Sequence, residues 1–175
     1  MKFRTAAIAI TLIGLAAILA AVAIPLTLTA SVFGPSQPTP SDAAMIAHWE
    51  KHRGTLDQIT DMLRRDPALN RLGLNWSDPE NPERAHVAAP RIADYRDLMR
   101  EASIISFSRG HRSVQFLFFT GGPSVSGFGK SFVRGEASRY AEIVDGDLDK
   151  AAAGRKKVLL QRPIADGWWL QRDGN

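Results

Sequence analysis

The chain has no cysteine. That excludes a disulfide framework, a thiol nucleophile and a lipid-modified cysteine anchor. Other signatures are missing too. There is no G-x-S-x-G elbow and no H-E-x-x-H helix, so neither the serine-hydrolase turn nor the zinc-protease site has its defining residues. No internal repeat and no long low-complexity tract interrupts the 175 residues. A strong charge excess is also absent. The formal net charge is +4, from 22 Lys and Arg against 18 Asp and Glu.

What stands out is one long uncharged run. Ala6 to Ala30 holds no charged residue, with Lys2 and Arg4 before it and Asp42 the first charge after it. A bilayer core about 30 Å thick takes ~20 apolar residues in a helix. Basic residues stay on the cytoplasmic side, which sets the N-terminus inside and the remainder outside. Residues 1–30 are therefore expected to be a single-pass, uncleaved membrane anchor in contact with the lipid bilayer. A cleaved signal peptide is the competing reading, since Ala21-Val22-Ala23 has the small-x-small cleavage pattern. Cleavage would leave a secreted protein. Both readings carry the C-terminal part across the bacterial cytoplasmic membrane. With Lys2 and Arg4 on the other side, 22 − 2 = 20 basic residues face all 18 acidic ones. That balance is too even for a nucleic-acid footprint.

Residues 31–41 contain SVFGPSQPTP, a proline-rich linker. Residues 42–175 are expected to form a single extracytoplasmic α+β domain. Ser41 or Asp42 caps a first helix to about Arg65. On it Met45, Trp49, Leu56, Ile59 and Leu63 fall within about 80° of arc, and Asp66-Pro67 ends it. Proline-rich residues 66–89 read as loops, where Leu72, Leu74 and Trp76 make a short strand or plug a core edge. A second helix starts at Pro90, with Ile92, Tyr95, Leu98, Met99 and Ala102 on its apolar face. The period then changes to 2. Strands are expected around Ile105 to Ser108, Ser113 to Phe119, Gly127 to Val133, Arg139 to Val144, Val158 to Gln161 and Trp168 to Arg172, with a short helix at Asp147 to Ala153. Asp166-Gly167 is the clearest hairpin signal. The expected architecture is a transmembrane helix followed by two amphipathic helices on an antiparallel sheet of about five strands.

The candidate binding residues are basic. Arg109, His111 and Arg112 crowd one hairpin turn and Lys130 lies in a neighbouring segment, a set suited to a carboxylate, phosphate or acidic headgroup if the sheet gathers it. Gly129-Lys130-Ser131 imitates the end of a P-loop, but the first glycine of that motif falls at Ser124 and strand follows where a helix is needed. No nucleotide is expected. His48 and His52 are one turn apart and too few for a metal site. Asp94, Asp97 and Glu101 read as a solvated face. No cofactor and no catalytic residue is assigned. The leading expectation is a tethered module that binds an envelope protein or an anionic envelope component. The alternative is a small envelope hydrolase using His111 with a nearby serine, such as Ser106 or Ser108, or a carboxylate.

Overall fold

The computed structural model describes residues 38–122 and 127–174. Helix α1 spans Asp42–Arg65. The Ser41 hydroxyl accepts a hydrogen bond from the Ala44 amide at 3.2 Å, so Ser41 is the cap and Asp42 is free for another task. The stripe of Met45, Trp49, Leu56, Ile59 and Leu63 is buried, and the helix stops before Asp66-Pro67. Strands β1 (Arg71–Gly73) and β2 (Ser77–Asp78) follow, then a 3-10 turn at Pro82–Ala85 and helix α2 (Ala89–Glu101). The remaining elements are β3 (Ser106–Arg109), β4 (Ser113–Gly121), β5 (Phe128–Gly135), β6 (Glu142–Ile143), α3 (Leu148–Ala152), β7 (Val158–Ala165) and β8 (Trp168–Gly174).

All eight strands join one sheet in the order β2-β1-β3-β4-β5-β8-β7-β6. This corrects the expected antiparallel sheet of about five strands. The additional strands are two or three residues long, and no periodicity can announce so short a pairing. The sheet is also mixed, because β6 runs parallel to β7 while every other pair is antiparallel. Helix α3 is the crossover that a parallel connection requires. Of Arg139 to Val144 only Glu142–Ile143 pairs. Strand β7 runs past Gln161 to Ala165, with Pro163 where the register shifts and no ladder donor is needed. Asp166-Gly167 closes the β7–β8 hairpin, Gly167 taking φ +65°.

The membrane span, single-pass topology and signal-anchor expected from the sequence are likewise not carried into the architecture. Among the described residues no helix is long and apolar enough to cross a membrane. The longest, α1, has Glu50, Lys51, Arg53, Asp57 and Asp61 on its outer side. Ala6 to Ala30 lies outside the described residues.

The three helices share one face of the sheet. Trp49 of α1 packs edge-on against Trp168 at 5.8 Å, Tyr95 of α2 meets Phe107 at 5.6 Å, and Asp149 of α3 reaches Lys130 and Arg172. Between them lie Phe116, Phe132 and Leu170, all fully buried. A bulge at Phe118 puts two successive phenylalanines on this side: Phe118 packs on Phe132 and Phe119 on Phe128.

Lys130 belongs to the same buried layer. Its side chain is 0% exposed, and its ammonium donates to Asp42 Oδ1 at 2.9 Å, Asp149 Oδ2 at 2.7 Å and the Pro40 carbonyl at 2.8 Å. Asp42 Oδ2 accepts the Leu148 amide at 2.8 Å and lies 3.5 Å from Arg162. Arg172 closes the far side of Asp149 at 2.9 Å. Removing one member of such a cluster strands a buried charge. Lys130→Met is expected to lower the urea-unfolding free energy by about 3–5 kcal/mol.

Candidate functional site

Alternation along the strands puts a different set of side chains on the face opposite the described helices. These are Arg71 on β1, Ser106 and Ser108 on β3, Gln115 and Leu117 on β4, Ser131 and Val133 on β5, Gln171 and Asp173 on β8, and Leu159 and Gln161 on β7. The set is largely polar, yet Ser131, Gln161 and Gln171 are buried.

The polar groups are joined in a chain across four strands. The Ser138 amide, in the segment after β5, donates to Gln161 Oε1 at 2.8 Å. Gln161 Nε2 donates to Gln171 Oε1 at 2.8 Å, and Gln171 Nε2 donates to Asp173 Oδ2 at 3.3 Å. From the other direction Gln115 Nε2 donates to Ser131 Oγ at 3.0 Å and to Asp173 Oδ2 at 3.4 Å. The Gly129 amide donates to Asp173 Oδ1 at 3.1 Å. Asp173 is thus the common acceptor, and glycine at 129 is what lets it approach. A Cβ at Gly129 would sit 2.8 Å from Asp173 Oδ1.

This chain floors a trough. One cavity of about 550 Å³ is lined by Arg71, Ser106, Ser108, Gln115, Thr120 and Asp173 among others. A second, of about 380 Å³, shares Ser108, Gln115 and Asp173 and continues to Gln161 and Ser138. The hydroxyls of Ser106, Ser108 and Thr120 and the carbonyl oxygen of Gln115 make no side-chain hydrogen bond among the described residues. They line the trough without being used by the fold.

Of the residues singled out from the sequence, Ser106 and Ser108 line the trough and Arg109 touches its second cavity, while His111, Arg112 and Lys130 lie elsewhere. Arg109 turns inward and caps the C-terminal end of α1, donating to the carbonyls of Leu63, Asp66 (2.9 Å) and Leu69 (3.3 Å). His111 and Arg112 are exposed in the turn, and Arg112 pairs with Glu136 at 2.8 Å. Arg109, His111 and Arg112 line a shallow depression of about 490 Å³ with Arg64 and Arg134. Lys130 does not join them. It faces the helices, four residues along β5 from Arg134, so the structure does not gather the four residues into one site. Gly129-Lys130-Ser131 lies inside β5, and each member has a local partner: Asp173, the carboxylate cluster and Gln115 respectively.

His111 makes no hydrogen bond to a serine or carboxylate among the described residues. His48 donates Nε2–H to the Ala102 carbonyl at 2.9 Å, and its ring lies against His52, Phe118 and Phe132. No group of three metal-ligating side chains converges among the described residues. Asp97 pairs with Arg100, and Glu101 accepts from Thr55 at 2.7 Å, both at the surface. Trp168 is core, whereas the Trp169 indole donates to the Gly135 carbonyl at 3.0 Å.

Leu72 is buried, but Leu74 and Trp76 are exposed. The trough residues missed from the sequence left one signal, Gln115 in an otherwise apolar strand. Gln161 and Gln171 become meaningful only once β7, β8 and β5 are known to be neighbours. Comparison with protein-family models, with curated proteins and with solved structures gives no match.

Two outcomes follow from this geometry. Asp173→Ala leaves the Gly129 amide and two glutamine amides without their acceptor. It is expected to cost about 1–3 kcal/mol in urea unfolding. Separately, desolvation, and then the neighbouring His48, hold the His52 pKa below its ordinary 6.5, with Lys51 acting in the same direction and Glu101 opposing. The unfolded chain therefore takes up the proton first. The stability this contributes is present above pH 6.5 and is lost as pH falls below it. Urea midpoints measured from pH 7.5 to 5.5 should fall less steeply in His52→Gln than in the parent protein.

Proposed function

We propose that this chain is a non-catalytic binding domain whose ligand lies in the polar trough on the sheet face opposite the described helices. The observation that carries this reading is the side-chain chain from Ser138 to Asp173, which holds the trough floor rigid through internal hydrogen bonds. Mutually bonded polar networks preorganise the groups around them. Here those groups are hydroxyls, an amide carbonyl and, at one end, the Arg71 guanidinium. Such a set suits a ligand rich in hydrogen-bonding groups and bearing negative charge, in keeping with an anionic envelope component. No histidine lines either cavity among the described residues, so Ser106 and Ser108 have no neighbouring imidazole to activate them. The working location belongs to the same proposal: the apolar run from Ala6 to Ala30 delivers the domain to the outer side of the cytoplasmic membrane, where such ligands are found.

The test is a residue-level map. Amide NMR spectra of the protein are recorded during titration with mixed anionic oligosaccharides and short acidic peptides. Shifts should concentrate at Ser106, Ser108, Gln115, Gly129 and Asp173. Shifts confined to the Arg109–Arg112 turn, or the same shifts in a Ser108→Trp variant with the trough filled, would overturn the reading.

A further inference from the structure

The end of the trough at β1 has chemistry that the rest of the floor lacks. Most arginines here are engaged: Arg134, Arg162 and Arg172 sit beside carboxylates, Arg96 donates to the Gly73 carbonyl, and Arg109 holds the end of α1. Arg71 is different. No carboxylate lies within 4 Å of its guanidinium among the described residues, even though Asp78 is its register partner on β2. Its recorded partner is an aromatic ring, with the guanidinium carbon 5.2 Å from the centroid of Trp76.

Trp76 is held in a definite place. Its indole lies over Gly73, so closely that a Cβ there would be 2.3 Å from Nε1 and 2.5 Å from Cε2. Gly73 and Arg71 lie two residues apart on β1 and therefore share the trough side. Trp76 is nonetheless 41% exposed, beside the trough end and lining a neighbouring cavity of about 710 Å³ with Glu80 and Arg96, and its N–H has no partner among the described residues. An exposed tryptophan with a guanidinium lying over its ring joins an apolar surface and a planar cation in one patch. Arg71, Ser108 and Gln115 are register partners on adjacent strands, which sets polar groups at steps of about 4.8 Å leading away from that surface.

We infer that Arg71 and Trp76 form a subsite for a carboxylated sugar residue, a uronic-acid unit of an acidic saccharide. The inference rests on the trough being the binding site. The apolar face of the sugar ring packs on the part of the exposed indole that the guanidinium leaves uncovered. Its carboxylate pairs with the guanidinium, whose fork matches it in plane. Ring hydroxyls meet Ser108 and the Gln115 carbonyl. Charge complementarity selects this occupant. Among the described residues lining the trough, Arg109 is held by backbone carbonyls and Arg71 is the cation without a hydrogen-bond partner, and Asp173 is an anion on the same floor. That suits one delocalised negative charge on a largely neutral body, whereas a phosphate or lipid headgroup calls for several cations.

The test uses calorimetric titration with three probes: trigalacturonate, its methyl ester, and triglutamate. The ester keeps the rings and loses the charge; the peptide keeps the charge and loses the rings. Trigalacturonate should bind best. Arg71→Gln should weaken it by about tenfold or more while leaving the ester nearly unchanged. Trp76→Ala should weaken acid and ester alike. Gly73→Ala, which evicts the indole without deleting it, should do the same. Circular dichroism melts establish that each variant is folded. Equal binding of triglutamate and trigalacturonate overturns the sugar assignment. Failure of every probe to bind overturns it as well. Trigalacturonate binding that survives Arg71→Gln and Trp76→Ala but is lost in Ser108→Trp overturns the subsite and leaves the trough standing. Binding that survives Ser108→Trp overturns the trough itself.

Discussion

A single ammonium group organises the helix side of this protein. Lys130 sits with no exposed surface between Asp42 and Asp149, and the Pro40 carbonyl supplies its third acceptor. Isolated charges are very costly to bury, and a buried pair adds little net stability even when well formed. Its value here is positional. The first turn of α1, the middle of β5, the start of α3, and Arg162 and Arg172 on β7 and β8 all meet at these two carboxylates. Few other arrangements of these elements satisfy every one of those charges. The cluster also fixes the strand that carries Gly129 and Ser131 on its opposite surface. The trough floor and the buried charges are two faces of one strand.

Individual elements of the fold were legible in the sequence, while its architecture was not. The stripe from Met45 to Leu63, the stop at Asp66-Pro67, Pro90 opening α2 and the Asp166-Gly167 hairpin are local features with local causes. The strand count and the parallel pair were not legible. Strands β1 and β2 exist only because a neighbour offers them hydrogen bonds, and two or three residues cannot display a period; at β6 the expected strand shrinks to Glu142–Ile143. The sheet order, which brings β5 beside β8, is a tertiary fact.

The site is a harder case, and Lys130 shows why. Its positive charge near Gly129 suggested a ligand. Yet Phe128, Lys130 and Phe132 alternate along β5, and that spacing puts the lysine on the same face as the two phenylalanines. The pattern pointed inward while the residue type pointed outward, and the pattern prevailed because two carboxylates on other elements were there to receive it. Arg109 was diverted in the same way, by the open carbonyls at the end of α1. Conversely, Gln161, Gln171 and Asp173 are unremarked singly, and Trp76 lay in a segment read as loop. Their meaning is collective and depends on which strands touch.

The outermost strands of the sheet carry a consequence of their own. An eight-stranded sheet with two full-length borders would offer long rows of free backbone groups to any other chain. Here the borders are β2 and β6, each two residues long. On the β2 side there is almost nothing for a foreign strand to zip along, and on the other side β6 interrupts the outer side of β7 at Leu160 and Gln161. Borders this short and interrupted make growth of the sheet through its sides unfavourable.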